Sequence, residues 1–153
     1  MEKFTKRQKS VIKDFIVVIV IVITAVVAMM NFKDYVNRRE AMRAMQHLGR
    51  VVLAYRDAHK QIPSQYYVDE IKTQLEGSVR LGNLVYRARW IGFGAGNDEI
   101  LAYAKKDYGL VFGNGYIVLR LDGRIEWMEA GQFEELLDSQ QSAEEKKLGE
   151  ENI

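Results

Sequence analysis

Apolar residues fall along this chain in three rhythms, and each predicts a different element. From Phe15 to Met30 the run FIVVIVIVITAVVAMM is continuous, with Thr24 its one polar residue. Asn31 and Phe32 extend the tolerable stretch to about 18 residues, close to the lower limit for crossing the hydrocarbon core of a bilayer. Strands seldom run this long and the segment does not alternate, so residues 15–32 are expected to form a transmembrane helix. Beyond it, from Asp34 to about His59, Met45, Leu48, Val52, Tyr55, His59 and Ile62 recur at spacings of three and four, the mark of one amphipathic helix face. Nothing between Phe32 and Asp34 interrupts a helix, so the two segments are expected to join in one rod of about 45 residues, on the order of 65 Å long. Pro63 biases Ile62 toward extended geometry, which should end the rod near Lys60.

A shorter helix is expected from Tyr67 to Leu75, with Val68, Ile71 and Leu75 on one side, Ser64 or Gln65 at its start and Gly77 as its stop. From Leu84 the period becomes two. Leu84, Tyr86, Ala88 and Trp90 alternate with Val85, Arg87 and Arg89, which predicts a strand with one covered face. Ile100–Ala104, Tyr116–Leu121 and a short piece around Ile125 and Trp127 read as further strands. Asp122-Gly123 between the last two suits a two-residue hairpin turn, in which both positions take positive φ. Residues 132–139 form a short closing helix with Phe133, Leu136 and Leu137 available to pack, and 139–153, polar and without an apolar period, is expected to be a disordered acidic tail. Two helices followed by antiparallel strands imply an α+β domain over 33–138, with the long helix laid on one face of a small sheet.

Composition narrows the chemistry. The chain has no cysteine, which excludes disulfides, thiolate nucleophiles and Cys-based metal sites, and a single proline, which permits long helices. The net charge of +1 conceals an asymmetry: most Lys and Arg lie in the first half, and the last 25 residues are rich in Glu, Asp and Gln. Lys3, Lys6, Arg7, Lys9 and Lys13 precede the apolar run, while Lys33, Arg38, Arg39 and Arg43 follow it. The slight excess before the run places residues 1–14 in the cytoplasm and the domain outside. A cleavable signal sequence cut after Ala28 is the competing reading. Val26-Val27-Ala28 matches the small-x-small rule poorly and the apolar run exceeds a usual signal core, so retention is expected.

No catalytic, cofactor-binding or metal-binding residue is assigned, no cofactor is expected, and the chain is not read as an enzyme. Gly92-Phe93-Gly94-Ala95-Gly96 follows a strand, but no helix opens at its glycines and no Lys-Ser or Lys-Thr follows, so it is an inter-strand loop valued for backbone freedom. His47 and His59 lie twelve residues apart, about 18 Å along a helix, too far to share a metal. Asp107, Asp122 and Glu126 near strand ends lack calcium-loop spacing. Arg38, Arg39, Arg43 and Arg50 make a basic helix surface, suited to anionic headgroups or simply to solvent. The aromatics alternate into the core pattern, which argues against a nucleic-acid surface.

Arranged this way, the chain resembles type IV pilins and type II secretion pseudopilins. MRAMQHLGRVVLAYRDAHKQIPSQ, residues 42–65, is similar to the end of the pilin long helix, where a Leu-Gly pair and a tyrosine lead to a turn and a proline. Residues 100–137, ILAYAKKDYGLVFGNGYIVLRLDGRIEWMEAGQFEELL, resemble the C-terminal domain of prepilin-like envelope proteins named for a histidine followed nine residues later by Asp-Gly. Asp122-Gly123 matches the Asp-Gly pair, and the histidine position falls on Phe112. A prepilin peptidase site is absent: Asp14 precedes Phe15, and Ile19 stands where the glutamate would be. The resemblance implies a pilin-like structural or interaction protein with an uncleaved anchor in the inner (cytoplasmic) membrane. Its partners would be the lipid bilayer and either an envelope or secretion-system protein or a second copy. The alternative is an envelope sensor binding a small molecule or glycan between Trp90 and the Gly92–Gly96 loop.

Overall fold

A computed structural model describes residues 6–92, 94–109 and 113–150; Lys3, Phe93, Phe112 and residues 151–153 lie outside the described residues. Its organising element is helix α1, Lys6–His59, 54 residues without interruption and so about 80 Å long. The expected rod is thus present and longer, because the basic stretch before Phe15 is helical too. It ends where the sequence places the end: Lys60 turns left-handed at φ 56° and its N–H reaches the Arg56 carbonyl at 2.8 Å. Helix α2, Gln65–Gln74, starts at Ser64, whose hydroxyl accepts the Tyr67 N–H at 3.4 Å. Gly77, at φ 76°, then turns the chain into a single 3-10 turn, Ser78–Arg80.

Four strands follow as an antiparallel meander in sequence order: β1 Leu84–Tyr86, β2 Ile100–Asp107, β3 Asn114–Arg120 and β4 Ile125–Glu129. The strand expected over 84–90 stops at Tyr86. Arg87 leaves the extended region (φ −100°, ψ 9°), and Ala88–Trp90 forms a 3-10 turn that carries the chain away from the sheet. The hairpin between β3 and β4 also departs from expectation. Asp122 keeps a negative φ and only Gly123 is left-handed, at φ 88°. The Arg120 N–H meets the Arg124 carbonyl at 2.9 Å and the Gly123 N–H meets the Arg120 carbonyl at 2.9 Å, which closes a three-residue loop, Leu121 to Gly123. The glycine at the third position resolves the twist, so the aspartate need not be strained.

Both faces of the sheet are covered, where one was expected. On the first, Ala41, Met45, Leu48 and Val52 of α1 pack on Ala102, Ala104, Ile117 and Leu119. On the second, helix α3, Ala130–Gln140, lays Phe133 on Ile100, Tyr116 and Val118, with Leu136 and Leu137 alongside. The Phe133 ring stacks on Tyr116 at 3.8 Å between centroids. Burying Phe133 to 1 % exposure contributes about 2 kcal/mol, sufficient to fix so short a helix. The architecture is three layers, α1, sheet and α3, with β3 buried on both sides along most of its length. The tail expected to be disordered is corrected as well: helix α4, Ala143–Glu150, follows α3, and Glu145 is buried.

Candidate functional site

The candidate features are the exposed half of α1, the charged surfaces of the domain, and the loop after β1. Residues 11–30 of α1 leave their large apolar side chains in the open, with Phe15 65 % and Met29 73 % exposed. The most apolar 18-residue window of the helix contains no buried residue, so these residues are not the core of the domain. Thr24, the polar residue within the run, directs its hydroxyl to the Val20 carbonyl at 2.8 Å. The segment therefore presents no unsatisfied side-chain donor to an apolar surrounding. By length and composition it is able to cross a membrane.

Above this segment Arg39, Arg43, Gln46 and Arg50 follow one another at four, three and four residues and all four are exposed. They form a stripe on the side of α1 away from the sheet. Arg39 donates to the Tyr35 hydroxyl at 3.2 Å and lies over its ring, and Arg38 lies over Trp127 at 4.8 Å. A groove of about 400 Å³ runs between Arg39, Met42, Arg43 and Gln46 on the helix and Gly123 and Ile125 on the hairpin.

The glycine loop makes no phosphate cradle. A Cβ at Gly92, Gly94 or Gly96 would meet nothing within 4 Å, and none of the three has a left-handed φ, so the expected need for backbone freedom is not seen there. Within it the Ala95 N–H closes a turn on the Gly92 carbonyl at 3.1 Å, and just beyond it the Glu99 N–H bonds the Gly96 carbonyl at 3.0 Å. A shallow groove of about 390 Å³ does lie beside it, bounded by Arg56, Lys60, Ile62, Ile91 and Ala95. Trp90, the aromatic expected to line it, is engaged with Arg89 instead, at 5.1 Å.

The remaining candidates stay apart, and those other than His47 each have a local partner. His47 is exposed, and His59, expected on the apolar face, is exposed too; it stacks on Tyr55 at 4.0 Å with Nδ1 3.0 Å from the Tyr55 carbonyl. Arg56, just before it, still donates to the Leu121 carbonyl at 2.9 Å, whereas residues 57–60 are all exposed. Asp107 accepts the Gly109 N–H at 3.1 Å, and Glu126 pairs with Arg120. Asp122 accepts the Arg124 N–H at 2.9 Å, and that bond, joined by the Arg124 guanidinium, holds its carboxyl below the usual aspartate range. Among the described residues no three His, Asp or Glu side chains gather as a metal site would require.

Sequence reasoning missed the principal buried polar cluster. Arg87 is 1 % exposed and grips Glu145 with two bonds, Nε to Oε1 at 2.7 Å and Nη2 to Oε2 at 3.0 Å. Nη1 donates to the Ile100 carbonyl at 2.8 Å and Nη2 to the Gln140 carbonyl at 3.3 Å. Glu99 adds a second carboxylate 3.7 Å away. Gln140 returns an acceptor to the Ile100 N–H at 2.9 Å. Every donor direction of the guanidinium is thus met by protein, which makes this a fastening of α4 to the sheet and leaves no N–H free for a substrate. Near the other end, Lys106 donates to the Leu81 carbonyl at 2.8 Å, and burial, with Lys72 nearby, lowers its pKa below the ordinary lysine value.

Compared with protein-family models, with curated proteins and with solved structures, the chain finds no match in any of the three.

Proposed function

We propose that the chain is a pilin- or pseudopilin-like protein that acts by protein contact and not by catalysis, held in the cytoplasmic membrane by residues 15–32 with its domain on the extracytoplasmic side. One observation carries this reading: a single unbroken helix is bare and apolar over its first half and forms the core of a small antiparallel α+β domain over its second. An apolar surface of that size left in water would drive aggregation, and lipid is the medium that removes the cost. The buried polar side chains of the domain, Arg87 and Glu145, are tied to each other, which suits a scaffold better than a reaction centre. Asp14 before Phe15 and Ile19 in place of a glutamate support an anchor that is kept whole.

The absence of cysteine makes the test direct. Single cysteines introduced at Ser10 and Tyr66 are expected to give opposite accessibility to a membrane-impermeant maleimide on intact spheroplasts, Tyr66→Cys labelled and Ser10→Cys protected. The protein should also stay with the membrane through alkaline carbonate extraction at its full length. Release into the supernatant, or a fragment beginning near Met29, would overturn the anchored reading; labelling of Ser10→Cys alone would reverse the orientation.

A further inference from the structure

The domain carries opposite charge on its two outer faces, and the layers put those faces at the same height. On α1 the outward stripe is Arg39, Arg43 and Arg50. Its neighbours one turn away are Tyr35, His47, Gln46 and Ala54, and Glu40, the one nearby carboxylate on the helix, is already held by Arg80 at 2.9 Å. Arg43 and Arg50 make no ion pair among the described residues. On α3 the side opposite Phe133 presents Gly131, Glu134, Glu135 and Asp138. Lys146 engages Asp138 at 2.6 Å, which leaves Glu134 and Glu135 without an ion pair among the described residues.

Heights follow from the packing. Along α1, Arg38 lies against Trp127, which is paired with Ile117; Gly49 faces Leu119, and Leu53 faces Gly123. Strand β3 therefore climbs away from the apolar segment as α1 does. Helix α3 starts its contact with Phe133 on Tyr116 and ends with Gln140 bonded to Ile100, the partner of Arg120. Glu134, Glu135 and Asp138 thus occupy the levels spanned by Arg43 and Arg50 on the other side of the sheet.

We infer that the α1 stripe docks the acidic outer face of α3 on a second copy of this chain, front to back. The inference rests on the anchored reading, because two copies held at one depth by identical apolar segments meet only at equal heights. Exposed ion pairs are individually weak, and confinement by the anchors supplies the effective concentration that makes several of them sufficient. Anionic headgroups are the competing occupant. Arg50 stands 18 residues past Phe32, about 27 Å of helix, beyond the headgroup layer, and lipid leaves both it and the matching acidic face unexplained. The contact uses different patches on its two sides, so it is heterologous and passes from copy to copy, as a row where successive copies keep one orientation and as a ring where they turn.

The test uses full-length chain in phosphatidylcholine vesicles, labelled with donor and acceptor dyes at Tyr66→Cys, a site on α2, 79 % exposed and part of neither face. Flotation first establishes insertion; a chain that does not float with vesicles fails the anchored reading and the inference with it. For chain that floats, energy transfer between copies is expected for the unmodified faces, and its loss in R43E/R50E and in E134K/E135K. The two defective variants mixed together, and the variant bearing all four changes, should both recover transfer, because each again offers opposite charges. Transfer that is absent from the start, insensitive to either pair, or unrecovered on mixing overturns the inference while leaving the anchor standing. A defect of R43E/R50E confined to vesicles containing phosphatidylserine would assign the stripe to lipid and overturn it equally.

Discussion

Two glycines show how residue-scale geometry is translated into stability. A Cβ at Gly115 would stand 2.4 Å from the Met128 carbonyl oxygen and 2.5 Å from Trp127 Cζ2, so backbone of β4 would have to move. Gly115→Ala is expected to cost about 2–3 kcal/mol, read from the thermal midpoint of the detergent-solubilised chain. At Gly49 the obstacle is a methyl of Leu119 at 2.9 Å, which rotates aside, and the gain in helix propensity of about 1 kcal/mol offsets the crowding. Gly49→Ala should therefore fall within about 1 kcal/mol of the parent. The buried tyrosines set the alkaline limit. Burial pushes the Tyr108 phenol up to about 12, with Arg38 opposing and Asp34 reinforcing, and raises Tyr86, whose hydroxyl donates to the Pro63 carbonyl at 3.0 Å. Because the folded state holds these protons more tightly than the unfolded state, their contribution is intact below the ordinary value of 10.0 and is lost as pH rises above it. Ultraviolet titration of tyrosinate should show late-ionising groups that collapse into the normal range when the chain unfolds, and Tyr108→Phe should make alkaline unfolding shallower.

At the scale of elements, α4 depends on one long-range pair. Arg87 and Glu145 are separated by 58 residues, and no apolar period in AEEKKLGE announces a docked helix. Glu145→Ala is expected to free α4 while the sheet stays folded, seen as fast amide exchange and early proteolysis after Gln141. Arg87→Met should cost more, about 3 kcal/mol, since the Ile100 and Gln140 carbonyls lose their donor too. The same contrast explains which elements could be read in advance. Helices α1 to α3 and strands β2 to β4 announce themselves because a repeating apolar face is recorded locally, and Ser64, Pro63 and the 122–123 turn mark their ends. What failed depends on distant partners: the early end of β1, where alternation continues through Trp90 but Arg87 turns inward to a carboxylate from the tail, and the second covered face, which only Phe133 of α3 supplies. His59 obeyed the helical period yet found no sheet beneath it. The opposed charge of α1 and α3 emerged only once the layers were known.

For the whole molecule, the continuity of α1 is the property that governs the rest. Proline at position 32 would remove a helical hydrogen bond and bend the rod at a cost of about 3 kcal/mol, without touching the core at Ala41, Met45 and Leu48. Spin labels at Ser10→Cys and Ala58→Cys should lie about 72 Å apart in the parent and measurably closer in Phe32→Pro, with the domain still folded. There is no slack between the apolar segment and the sheet: the same hydrogen-bonded ladder runs from Lys6 to His59. In a bilayer that makes α1 a lever whose short arm is gripped by lipid. His59 lies 27 residues past Phe32, about 40 Å, so an ordinary tilt of about 20° swings the far end sideways by about 14 Å. Whatever fixes that tilt, packing against a neighbouring helix or side chains anchored at the interface, would steer where the domain points.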